Sequence, residues 1–214
     1  MTNLILHIPH SSDKIPMDKG FVVDKKILTQ EIIKLTDWYT DDLFLFEDSV
    51  IVRADFSRIF CDTERFSDDS QEVMAKYGMG VLYEKSDDGV AIREVNPKLR
   101  EDILNNYYWP HHNKLNQAVN DQLISNGRAL IVDCHSFPSD PLIRDLSQDE
   151  NRPDFNIGTD SFHTPNDLIE ISKYFFKEKG YSLGIDRPYS GTMVPINHYQ
   201  KTKNVSSIML EINR

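Results

Sequence analysis

In "RALIVDCHSFPS" (Arg128–Ser139) an apolar run, Ala129 to Val132, leads straight into an acid, a thiol, an imidazole and a hydroxyl. A short unbroken apolar run reads as a strand covered on both faces. Polar groups at its carboxyl end fall where open α/β sheets bind their ligands. "NLILHIPHSS" (Asn3–Ser12) repeats the arrangement and delivers His10 just past a second apolar run.

Outward from 128–135 the pattern alternates. Further strands are expected at 3–8, 49–56 ("SVIVRADF"), 155–158 ("FNIG"), 181–186 ("YSLGID") and 205–212 ("VSSIMLEI"). Between them, 25–46 places Ile27, Ile32, Leu35, Tyr39, Leu43 and Phe46 at helical spacing, with a break near Thr36. Residues 97–127 read as helix interrupted at Pro110, with Trp109 extended and Pro110 in the first turn of the restarted helix. Gly127 is a natural stop, and 164–180 is a well-delimited amphipathic helix. "GVLYEKSDDGVAIRE" (80–94) suggests a hairpin around Asp88-Gly89, and 138–154 is a long polar loop. The alternation predicts an α/β fold of three layers: a mixed, mostly parallel central sheet with helices on both faces, in a single domain over 1–214.

At 39% hydrophobic and 27% charged, the chain can bury a substantial core. A net charge of −10 is the wrong sign for a phosphate-reading face, so no nucleic-acid partner is expected. It leaves room for a small anionic substrate, because a few arginines can reverse the field inside a pocket. Cys61 and Cys134 are too few for a disulfide framework and make no Cys-x-x-Cys pattern, so Cys134 reads as a core thiol. There is no basic leader and no apolar stretch approaching the ~20 residues of a bilayer span. The expectation is a cytoplasmic location without a membrane partner.

Four elements bring imidazole, guanidinium and carboxylate groups to strand ends: His10, Arg58 with Asp62, His135, and Glu211. Two imidazoles and one carboxylate are a common catalytic zinc set that keeps a position open for water. Each histidine alone reads as a hydrogen-bonded loop residue; as a pair they point to one metal ion. The third ligand is open between Asp13, three residues after His10, and Asp37 in "TDWYTDD". Glu211 suits a general base, or a surface acid paired with Arg214. Arg58 and Arg65 suit a substrate carboxylate, or pairing with Asp62 and Glu64. His112 follows the Pro110 break and either reaches the site or packs. His7 reads as a core histidine, and Tyr39, Tyr107 and Tyr108 as core aromatics.

Six blocks in order resemble one family, the N-formylglutamate amidohydrolases. "HIPHSS" followed by Ile15-Pro16, "DWYTDDLF" (37–44), "SRIFCDTERF" (57–66), "YYWPHHNKL" (107–115), "DCHS" (133–136) and "LEINR" (210–214) are similar to its motifs. Ser12 stands where glycine is usual, and Glu64 where asparagine is usual. The resemblance implies a zinc-carboxypeptidase-like α/β fold and a metal-dependent hydrolase that removes an acyl group from the nitrogen of glutamate. It implies His10 and His135 as metal ligands, points to Glu211 as the catalytic carboxylate, and favours Asp37 as third ligand. Arg58, Arg65 and His112 are then the substrate-binding candidates.

The expected function is a metal-dependent amidohydrolase acting on a small N-acyl acidic amino acid, with one zinc or another divalent ion. The alternatives are a metallopeptidase acting on glutamyl peptides and a non-catalytic carboxylate-binding domain of the same fold. A binding domain has no need of Glu211 beside a metal. Neither the acyl group nor the oligomeric state is legible.

Overall fold

A computed structural model describes residues 4–214; Met1 to Asn3, which the expected domain and the expected first strand include in part, lie outside the described residues. One sheet contains β1 (Leu4–Ile8), β2 (Val50–Arg53), β3 (Ala129–Phe137), β4 (Phe155–Gly158), β5 (Leu183–Ile185) and β6 (Val205–Asn213), in the order β2-β1-β3-β6-β4-β5. Every neighbouring pair is parallel except β4 with β6. The fold is the expected mixed, mostly parallel α/β sheet. Among the described residues no helix is long and apolar enough to cross a membrane.

The two-residue period of strands decides which groups share a face. Ile5, Ile131 and Ser207 form one row across β1, β3 and β6. His7, Asp133 and Met209 form the next, and His135, Glu211 and Asn156 the row beyond, across β3, β6 and β4. Helix α4 (Trp109–Asn126) covers the apolar end of this face, where Leu115, Ala118 and Val119 cluster with Ile5, Val52, Ala129, Ile131 and Val205. The polar rows are left beyond it. On the opposite face Leu6, Ile8 and Cys134 pack with Phe44, next to α2 (Thr40–Leu43). There Phe155 also meets Phe176 of α5 (Asn166–Glu178), with ring centroids 4.4 Å apart.

Helix α1 (Lys25–Leu35) starts on Asp24, whose carboxylate accepts the Ile27 N–H at 2.9 Å, and ends at an extended Thr36. The apolar spacing expected to continue inward does not. Tyr39, Leu43 and Phe46 are 68%, 59% and 56% exposed, because Tyr39 takes a left-handed φ of 65° and the helical phase is lost. Tyr39 is therefore not a core aromatic. Tyr108 is buried, and Tyr107 sits edge-on to Phe60 at 4.8 Å.

Pro110 does not interrupt its helix. Helix α3 (Pro97–Ile103) runs through a π-helical turn, Leu104–Tyr108, directly into α4. Trp109 is helical, not extended, with φ −63° and ψ −38°, and its N–H reaches the Leu104 carbonyl. The widened turn accommodates the ring and absent N–H of proline that would break an α-helix. The expected hairpin at 80–94 is present in short form: Gly89 N–H donates to the Ser86 carbonyl at 2.9 Å at its turn, and Ser86 N–H to Val90 and Ile92 N–H to Glu84 flank the antiparallel Lys85–Ala91 bridge.

A methyl group at Gly158 of β4 would run into the Gly191 carbonyl and the Met209 side chain. Gly158→Ala should therefore lower stability by about 1–3 kcal/mol, the usual cost of overpacking, read as a shift of the urea midpoint. An unchanged midpoint would mean that β4 and β6 separate without strain.

Candidate active site

His10 lies two residues past β1. The break after α1 frees Asp37, whose N–H donates to the His10 carbonyl at 3.0 Å, pinning the two segments together. The β3–β6 register sets His135 beside Glu211. The loop 57–66 adds Arg58, Glu64 and Arg65, and all seven side chains line one cavity of about 210 Å³. Asp13 is exposed and takes no part. His112 does not line the cavity; its ring packs on Tyr108 with centroids 4.2 Å apart.

The two histidines, 125 positions apart in sequence, have ring centroids 5.1 Å apart. His10 Nε2 donates to Asp62 Oδ1 at 2.9 Å. That leaves Nδ1 facing Asp37 Oδ2 and Glu64 Oε2, each at 3.7 Å, without a hydrogen-bond partner among the described residues. His135 Nδ1 lies 3.0 Å from the same Asp37 oxygen. One ligand atom each from His10, Asp37 and His135 falls within 4.8 Å of the others, and all three residues are buried. Two imidazoles and a carboxylate around an orphaned buried nitrogen fit a divalent cation.

The electrostatics sort these groups. Burial opposes ionisation of Asp37, but the nearby His10 ring and the hydrogen-bonded His135 outweigh it and hold the carboxyl well below its usual range. Burial also opposes charge on His135, yet Glu64 and Asp133 raise it well above the ordinary histidine value. Glu211 moves the other way. Burial pushes it up to about 8, with Asp37 and Glu64 adding to the rise against His135 and Arg58.

The family model for N-formylglutamate amidohydrolase matches residues 2–214. The chain belongs to the N-formylglutamate amidohydrolase family. Among solved structures, the N-formylglutamate amidohydrolase from Ralstonia eutropha JMP134 is similar with a TM-score of 0.85 and 23% identity, over 99% of this chain and 82% of that one. Gene product Atu2144 from Agrobacterium tumefaciens is similar with a TM-score of 0.70 and 15% identity, over 99% and 80%. At those identities the likeness is one of fold. No curated protein matches the chain.

Within this member of the family, Arg58 and Arg65 differ. Arg58 donates from Nε and Nη2 to Asp62 Oδ2 at 3.2 and 3.1 Å. Arg65 makes only longer ion contacts, 3.6 Å to Asp62 and 3.9 Å to Glu72, and its buried Nε has no partner among the described residues. Glu64 does not cancel it, because both of its oxygens turn toward His135, at 3.3 and 3.2 Å. Arg214 donates to the Ser136 carbonyl and hydroxyl, so it is not held by Glu211.

Sequence reading missed a buried chain behind the cavity. His111 Nε2 lies 2.9 Å from His7 Nε2, and His7 Nδ1 lies 2.7 Å from Asp133 Oδ1. The signal was present: His7 precedes His10 on the run into the site, and Asp133 precedes His135 on β3. His112 stands next to this chain. Burial foremost, and then the charge of His7, lowers its pKa from 6.5 to about 4. As the pH falls, the unfolded chain takes up that proton first, so His112 removes stability between those values. Across that window wild type should lose about 1.4 kcal/mol per pH unit more than His112→Gln. Urea titrations at stepped pH would show it, and parallel curves would refute it.

Proposed function

We propose that the chain is a metal-dependent amidohydrolase that removes the N-acyl group, N-formyl foremost, from glutamate or a related acidic amino acid. The observation that carries this reading is the orphaned His10 Nδ1 facing Asp37 beside His135, with buried Glu211 on the neighbouring strand. His10, Asp37 and His135 would hold the ion, and zinc is the first candidate for two imidazoles and a carboxylate. When bound, such an ion brings the pKa of a coordinated water toward 7 and polarises a carbonyl.

The protein's own groups divide the remaining work. Arg65, whose Nε lacks a hydrogen-bond partner at the cavity wall, holds a substrate carboxylate; Arg58 is committed to Asp62 and braces the acid that orients His10. Glu211 accepts a proton from the attacking water and returns it to the amine nitrogen as the C–N bond breaks. A carboxyl that changes protonation near neutrality suits that exchange. A cavity of about 210 Å³ favours a small amino-acid derivative over a peptide. A module that only binds a carboxylate gains nothing from Glu211 in this position.

Protein purified without chelator should carry about one equivalent of zinc or a similar ion, and should hydrolyse N-formyl-L-glutamate faster than other N-acyl amino acids. Chelation should stop turnover and zinc should restore it. His135→Ala should lose the metal. Glu211→Gln should keep the metal while kcat falls about 10²- to 10⁴-fold. Full activity in Glu211→Gln, or hydrolysis unaffected by chelation, would overturn the proposal.

A further inference from the structure

We infer that Glu64 is a positioning residue for His135: its carboxylate receives the Nε2 proton and leaves Nδ1 to face Asp37 and the cation. The inference rests on the proposed metal site.

The geometry repeats an arrangement seen at the other histidine. Asp62 accepts from His10 Nε2 at 2.9 Å and leaves His10 Nδ1 turned toward Asp37. At His135, Glu64 Oε2 and Oε1 lie 3.2 and 3.3 Å from Nε2, while Nδ1 is 3.0 Å from Asp37. Asp62 and Glu64, two residues apart in one loop, thus each stand behind one ring. They are also coupled, because the Glu64 N–H donates to Asp62 Oδ1 at 3.0 Å.

Asp133 Oδ1 is the other acceptor within reach of His135 Nε2, at 3.3 Å. It is already engaged by His7 at 2.7 Å, and its second oxygen takes the Met193 N–H at 2.9 Å. The remaining histidine contacts of Glu64 are longer, 3.7 Å to His10 and 3.8 Å to His7. Glu64 is therefore the less committed carboxylate. A charged acceptor on one ring nitrogen fixes the tautomer and strengthens the other as a donor to metal, which a neutral amide does less well.

The test compares wild type, Glu64→Gln and Glu64→Asp as full-length proteins. Zinc affinity is measured by competition with a chromophoric chelator, and folding is checked by circular dichroism. Glu64→Gln should bind zinc about ten- to a hundredfold more weakly, with partial recovery in Glu64→Asp. In the zinc-loaded wild type, ¹H–¹⁵N NMR should place the His135 proton on Nε2, and Glu64→Gln should move that resonance. Equal affinities within about twofold, or a proton on Nδ1, would overturn the inference while leaving the metal site standing. If Glu64→Gln fails to fold, the wild-type tautomer decides. Wild type that takes up no zinc would remove the metal reading and this inference with it.

Discussion

A completely buried carboxylate, Asp62, governs the geometry of the site. An ion taken out of water must be stabilised from within, and Asp62 is saturated. One oxygen accepts from His10 Nε2 and the Glu64 N–H; the other accepts from Arg58 and from the Tyr83 hydroxyl at 2.9 Å. Burial works against its charge, yet Arg58 and His10 hold it well below the usual carboxylate range. The loop after β1, the 57–66 loop and the Tyr83 segment are joined at this one group. Losing it would strand a buried guanidinium and an imidazole together, a defect that ordinarily costs about 3–5 kcal/mol.

The sheet imposes a second constraint. Because side chains alternate, the face that α4 seals with Leu115 and Val119 is the same face that presents His7, Asp133, His135 and Glu211 further along. Stability and chemistry are consecutive zones of one surface. The π-helical turn before α4 belongs to this design, since it carries Pro110 without a break and places His111 against His7. Burial keeps His111 well below the ordinary histidine pKa, so its ring stays neutral and its Nε2–H can donate to His7 Nε2 while His7 Nδ1–H donates to Asp133. That chain of rings backs Asp133, which in turn lies against His135.

The strands were legible because their apolar runs are short and unbroken, and the site because its polar groups fall at their carboxyl ends. His10, His135 and Glu211 could be placed near one another from that rule alone. Residues 36–46 could not, since a single left-handed residue, Tyr39, shifts the helical phase and no local pattern announces it. Trp109 was misread because proline is normally a breaker, and only the widened turn accommodates it. The placement of Asp37 beside His10 depends on a hydrogen bond from Asp37 to the His10 backbone, which spans 27 positions and leaves no trace in spacing. The inward orientation of Glu64 was hidden for the same reason.

Asp37 and Glu211 show how one cavity holds two carboxyls in opposite protonation states. Burial raises both, so burial cannot separate them. What separates them is contact. Asp37 lies within hydrogen-bonding reach of His135 and close to His10 and stays ionised. Glu211 forms no ion pair among the described residues, so burial, with Asp37 and Glu64 adding to it, holds its proton on up to about 8. Environments that drive neighbouring carboxyls apart in this way leave one a fixed anion and let the other keep its proton near neutrality.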